Sequence, residues 1–115
     1  MSRELKDFGD WGEDLAAGYL KKLGSKILGA KVRTRIGEVD ILAQDGDTII
    51  VVEVKAKADV EKGTPEEMVN WKKQRKLIRL AHQVNQKFPN FKIRIDVVAI
   101  EGNDIRYYKN AVQEN

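Results

Sequence analysis

The chain of 115 residues contains no cysteine, one histidine, two prolines and only 7% aromatic residues. Without thiols there is no disulfide framework, no thiolate metal centre and no cysteine nucleophile, which fits a reducing compartment. With His82 alone, a histidine-based zinc site is excluded as well. Long apolar runs are also missing. The longest uncharged ones, such as Ile49 to Val52, are far shorter than the about 18 residues that a membrane-spanning helix needs. The opening MSRELKDFGDWGED carries charges where a secretory signal would carry an apolar stretch, so the expectation is a cytoplasmic protein with no membrane partner. Repeats, low-complexity segments and linkers are absent too, and a single domain over residues 1–115 is expected, with 109–115 frayed. At this length folding buries roughly 65% of the surface of the unfolded chain, enough for a core without staples.

What is abundant is charge: 34% of residues are Asp, Glu, Lys or Arg, with a net charge of only +3. The cations are clustered. Lys21, Lys22, Lys26, Lys31, Arg33 and Arg35 lie between Asp14 and Glu38 with no acid among them, and Lys72, Lys73, Arg75, Lys76, Arg79, Lys87, Lys92 and Arg94 lie likewise between Glu67 and Asp96. Fourteen of the 21 cations therefore fall in two stretches, and a protein of modest net charge can present a basic face to a polyanion. The bland alternative is a solvated helix face.

Hydrophobic spacing sets out the elements. Trp11, Leu15, Tyr19 and Leu23, four apart, with Gly24 as a stop, predict an amphipathic helix over 8–23. Residues 26–34 are weakly strand-like, Arg35-Ile36-Gly37 turns into a strand over 38–43, and Gln44-Asp45-Gly46-Asp47 signals a hairpin into the β-branched run 48–54. Thr64-Pro65-Glu66-Glu67 opens a helical region to Lys87, with Leu77, Leu80, Ala81, Val84 and Phe88 as its apolar stripe. Lys92 to Ile100 alternates as a strand, and Glu101-Gly102-Asn103-Asp104 turns into Ile105 to Tyr108. The predicted order is αβββαββ, a mixed sheet flanked by helices.

Chemistry concentrates at Gly37-Glu38-Val39-Asp40 and, thirteen positions after Asp40, at Glu53-Val54-Lys55. E-x-K alone means nothing, since Glu4-Leu5-Lys6 matches it too. Glu53 and Lys55, however, interrupt a run that reads as a central strand buried on both faces, where a carboxylate costs several kcal/mol unless paired or coordinated. Period two puts Glu53 and Lys55 on one side, and the hairpin brings Asp40 alongside. Two carboxylates, the Val54 carbonyl and waters make a hard oxygen set suited to Mg²⁺ or Mn²⁺, with Lys55 placed to orient water or offset phosphate charge. Glu13 on the first helix is a further candidate carboxylate, although Glu in the first turns of a helix is favoured there in any case. The structural alternative is an Asp40–Lys55 ion pair. Glu38 shares a face with Asp40 by alternation and either touches the metal's water shell or pairs with Arg33 or Arg35. His82 reads as an ordinary helix residue, and Gln74, among cations, is a candidate contact to water or phosphate.

The motifs Trp11-Gly12-Glu13-Asp14-Leu15-Ala16-Ala17, Arg35-x-Gly37-Glu38-Val39-Asp40-Ile41-Leu42-Ala43, Val52-Glu53-Val54-Lys55, Ile95-Asp96-Val97-Val98 and Asn110-Ala111 resemble the YraN-like family of small proteins across essentially the whole chain. That family is similar to archaeal Holliday junction resolvases and to restriction-endonuclease-like PD-(D/E)xK nucleases. The resemblance implies an αβββαβ core, here with an extra C-terminal strand, and Glu13, Asp40, Glu53 and Lys55 as the nuclease motif, with Gln74 at a fourth position. Val39 stands where the name-giving motif has proline. The implied activity is Mg²⁺- or Mn²⁺-dependent hydrolysis of branched or structured DNA by a homodimer, in DNA recombination and repair. Lys72, Lys73, Arg75, Lys76, Arg79, Arg33 and Arg35 are the candidate phosphate contacts. A non-catalytic nucleic-acid-binding protein that keeps the fold is the alternative, and an RNA-directed nuclease a weaker one.

Overall fold

The computed structural model describes residues 3–57 and 63–114. The chain runs α1 (Arg3–Lys22), β1 (Lys26–Thr34), β2 (Gly37–Asp45), β3 (Thr48–Lys57), a 3-10 turn over Pro65–Met68, α2 (Trp71–Lys87), β4 (Lys92–Glu101) and β5 (Asp104–Tyr108). The Glu4-Leu5-Lys6 match falls in the start of α1, where the side chains lie outside the described residues. The strands form one sheet in the order β1-β2-β3-β4-β5. Every pairing is antiparallel except β3 with β4, which are parallel and joined by the crossover that carries α2. The sequence order αβββαββ and the mixed sheet are both observed.

The two faces of the sheet bury separate cores. Ile49 and Val51 of β3 pack with Leu77, Leu80 and Val84 of α2, whereas Ile50 and Val52 pack with Ala16 and Leu20 of α1. The helices therefore cover opposite faces, and this is why β3 reads as an unbroken apolar run rather than an alternating one. β4, expected to bury only alternate residues, is buried on both faces from Ile95 to Ile100 for the same reason.

Three local expectations are corrected. The helix predicted to start at Pro65 is broken: the 3-10 turn, capped by Thr64, ends at Met68, Val69 drops into the α2-side core, and Asn70 caps a new helix by accepting the Lys73 N–H. Burying Val69 and continuing the first helix are incompatible here, and burial prevails. Regular alternation also fails in β2, because Val39 joins the α2-side core although Ile41, two residues on, joins the other. Finally, 109–114 is docked rather than frayed. The Asn110 N–H donates to Asp96 Oδ1 (2.8 Å), the Ala111 N–H donates to the Ile95 carbonyl (2.8 Å), and Val112 is 5% exposed in the α2-side core.

Candidate active site

The site begins where a strand ladder stops. β2 and β3 pair from Asp45↔Thr48 as far as Ile41↔Val52, and beyond that point the strands part. Into the opening goes the Asp40 side chain, whose Oδ2 accepts the Val54 N–H at 2.8 Å. β1 is irregular directly opposite, with Lys31 at a positive φ of 51°. Asp40 therefore lies against β3 beside Glu53, as the hairpin predicted. Burial, together with the negative charge of Glu53 beside it, pushes the Asp40 carboxyl up to about 7, against the opposing pull of the Val54 N–H and Lys73.

Glu53 is 3% exposed. Its Oε2 is buried and receives no hydrogen bond, although two ammonium groups lie near it: Lys55 Nζ at 3.6 Å and Lys73 Nζ at 3.1 Å, neither in hydrogen-bonding geometry. Lys55 thus shares the side of Glu53 as period two required, and its ion pair is with Glu53 rather than with Asp40 as the structural alternative supposed. Lys73 makes a contact that sequence reasoning did not give it. Expected among the phosphate contacts, it is held at the third position of α2 by the Asn70 cap and turned onto Glu53. The signal that locates it is the Asn70 cap, which sequence reading passed over by running the helix continuously from Pro65.

Glu13 comes from the opposite layer. Gly12 lets α1 close on β3: a side chain there would bring its Cβ to 3.1 Å from that of Ala56. This approach brings Glu13 within electrostatic reach of Asp40, whose charge, after burial, helps to raise the Glu13 carboxyl above its usual range against the pull of Lys31. Glu13 Oε1 accepts from Lys31 Nζ at 2.6 Å, and the same ammonium pairs with Asp10 at 2.7 Å. Glu38 is exposed and lies opposite Arg33 in the ladder. Gln74 is engaged elsewhere, its amide donating to the Val69 carbonyl at the broken helix junction (3.0 Å).

The cations divide into separate places. Lys72, Lys73, Lys76 and Arg79 line one groove with Met68 and Asn70, while Arg33 and Arg35 line another with Gln83, Gln86 and Lys87 at the far end of α2. Arg75 stacks over the Trp71 ring at 4.7 Å. His82 pairs with Glu114 on the surface (3.0 Å).

A family model described as "Uncharacterised protein family UPF0102" matches residues 12–100, a span that holds Glu13, Asp40, Glu53 and Lys55 and every groove cation. The chain belongs to the UPF0102 family. Similar relatives are UPF0102 proteins of Persephonella marina, 40% identical over 105 residues covering 90% of each chain, and of Thermodesulfovibrio yellowstonii, 41% identical over 106 residues covering 91% of this chain and 95% of the relative. A UPF0102 protein of Clostridioides difficile is 41% identical over 97 residues, covering 83% and 85%. The YraN-like resemblance read from the motifs is this UPF0102 membership. The matched span ends before β5 and the docked C-terminal segment.

In chemical terms the site is a pair of carboxyls that resist joint ionisation, with one buried oxygen lacking a donor and two ammonium groups close by. That donor set fits a divalent cation better than it fits the side chains alone, because a second positive charge would let Asp40 and Glu53 ionise together and would occupy the unpartnered Oε2. Among the described residues, no three His, Cys, Asp or Glu side chains form a ready-made metal cage, so the remaining ligands would have to be backbone oxygen or water.

Proposed function

We propose that the protein is a metal-dependent endonuclease that hydrolyses phosphodiester bonds in branched or structured DNA. The observation that carries this reading is the buried Glu53 carboxylate, its Oε2 without a hydrogen bond, placed against Asp40 at the point where β2 and β3 part. A stable fold alone gains little from such an arrangement, since burying a carboxylate with one oxygen left without a hydrogen bond costs free energy that its two ammonium neighbours only partly offset.

On this reading Asp40, Glu53 and the Val54 carbonyl hold Mg²⁺ or Mn²⁺, with Glu13 in support. When bound, the ion neutralises charge on the scissile phosphate and polarises it toward attack. The chain's own groups do the rest. Asp40 is fixed by the Val54 N–H, so its free oxygen is oriented before substrate arrives. Lys55, about a quarter exposed, directs an ammonium from the edge of Glu53 toward the solvent side, where it orients water and offsets phosphate charge. Lys72, Lys76 and Arg79 bind flanking phosphates. With one such centre per chain, cutting both strands of a two-fold symmetric junction takes a homodimer. Zero cysteine fits a cytoplasmic setting, and no helix is long and apolar enough to cross a membrane among the described residues.

The test is cleavage of a labelled four-way junction in Mg²⁺ and in Mn²⁺, with linear duplex and single strand as competitors. Symmetric nicks are expected for the native chain, with a loss of about 10²- to 10³-fold in Lys55→Ala and in Glu53→Gln. A second reading, a nucleic-acid-binding protein without catalysis, is favoured by one observation: Lys73 already sits at Glu53 Oε2 as a counter-charge. Tight junction binding with no nicks in either metal, and no Mn²⁺ binding by calorimetry, would decide for it.

A further inference from the structure

One large side chain is used by neither the core nor the carboxylate site. Trp71, the first residue of α2, is 69% exposed, more than any other large hydrophobic residue described. The helix packs through Leu77, Leu80 and Val84, and the neighbouring Val69 enters the core instead. Arg75 lies over the indole at 4.7 Å, which restrains the ring at one orientation while leaving most of it in water. Beside it runs the groove of about 310 Å³ lined by Met68, Asn70, Lys72, Lys73, Lys76 and Arg79, with four cations and no acid. Two residues on, Lys73 reaches Glu53 Oε2 at 3.1 Å, so the ring and the carboxylates flank the same first turn of α2.

We propose that Trp71 is a stacking platform for an unpaired base of a DNA strand whose phosphates lie along Lys72, Lys76 and Arg79. This rests on the nucleic-acid reading above and names its substrate class. The occupant follows from charge and shape together. A groove whose Lys72, Lys76 and Arg79 remain once Lys73 has turned to Glu53 selects a polyanion, and an exposed aromatic ring beside a phosphate track is where single-stranded segments stack, since every base presents a π face. Bases inside a duplex already have both faces covered. Only a branch point, a flap or a single strand offers a free face without unstacking. Trp71 therefore selects DNA with an unpaired base next to the phosphates held by Lys72, Lys76 and Arg79, and a fully paired duplex lacks that contact.

The experiment reads the ring directly and needs no cleavage. In a Trp11→Phe background Trp71 is the only tryptophan. In EDTA its fluorescence is titrated with a duplex bearing a single-stranded branch and with the same duplex fully paired. The branched DNA is expected to quench the emission and the paired DNA to leave it unchanged. Trp71→Ala in the otherwise native chain is expected to weaken binding of the branched DNA by about 5- to 150-fold and of the paired duplex not at all, while Trp71→Phe keeps most of the affinity. Equal weakening for both DNAs, no weakening for either, or a Trp71→Ala chain that sediments as a smaller assembly because the ring joins two copies would each overturn the inference while leaving the nucleic-acid reading in place. If neither DNA binds, both fall together.

Discussion

Asp40 carries a cost that the fold would avoid if stability were the only demand. Its carboxyl titrates near 7 in the folded chain against an ordinary value of 3.8, because burial and Glu53 both oppose its charge. The folded state thus holds the proton more tightly than the unfolded state does, so this group weakens stability as pH rises from about 4 and does so in full above about 7. In EDTA, Asp40→Asn is expected to melt higher than the native chain at pH 8, by on the order of 5 °C, with the gap closing as pH falls toward 4; melting curves across pH check it. Asp96 is the contrasting case. It is wholly buried, and it accepts from Arg94 Nε and Nη2 at 2.9 Å each, from Tyr107 Oη and from the Asn110 N–H. Every lone pair there has a purpose, and Asp96→Ala should cost about 3 kcal/mol by urea unfolding, because Arg94 and Tyr107 lose their acceptor. The two buried acids thus differ: Asp96 is satisfied, whereas Glu53 keeps one oxygen without a hydrogen bond, and on the proposed reading that difference separates a structural carboxylate from a functional one. From the sequence alone Asp96 and Glu53 look alike, each an acid inside an apolar strand with a cation two residues away; their difference lies in the Arg94 fork on β4 and in partners contributed by β5 and the segment after it.

At the scale of elements, the short 3-10 turn matters beyond its size, because it sets where α2 begins. It is fastened to β5 by Glu66, which accepts from Arg106 Nε (2.5 Å) and Nη2 (3.0 Å) and from Tyr108 Oη (2.7 Å). The Arg106 guanidinium holds the Glu66 carboxyl down to about 2 from 4.5. A lowered carboxyl contributes stability in full above about 4.5, and that contribution is lost as pH falls toward 2. Glu66→Gln should therefore be less stable than the native chain at neutral pH, and the two should converge by about pH 2 in an acid-unfolding series. Most elements were legible from spacing and punctuation: α1 from its period and Gly24, the hairpin from Asp45-Gly46, and the burial of β3 from its unbroken apolar run. The broken helix was not. Pro65 and Glu67 are good start signals for a helix, and the pull of Val69 into the α2-side core, with the Asn70 cap, shows that the true start is Trp71.

For the whole molecule, net charge says less than its placement. A chain at +3 gathers Lys72, Lys73, Lys76 and Arg79 around one groove, and three of these remain for phosphate once Lys73 has turned to Glu53. On the proposed reading, affinity for DNA should fall steeply with salt, and Lys76→Ala should lower the slope of log K against log salt by about 1, whatever the DNA sequence. A slope unchanged by the substitution would remove Lys76 from the interface. Lys76 also lies over the β1–β2 turn, where a Cβ on Gly37 would come within 3.3 Å of its Cε, so the turn and the groove share one wall.

By itself the sequence determined the order of elements, the burial of β3 and the convergence of Asp40 with Glu53 and Lys55. All three follow from short-range periodicity, and from one hairpin whose turn residues set which strand lies next to which. Tertiary structure alone decided that Lys73 belongs to the carboxylates, that Gln74 serves the Val69 carbonyl, that Arg33 and Arg35 lie with Lys87 apart from the groove of Lys72, Lys76 and Arg79, and that 109–114 is docked. Each of these depends on contacts between residues far apart in the chain or on the exact start of a helix. A shift of one residue in that start turns a side chain by about 100°, more than any sequence period can specify.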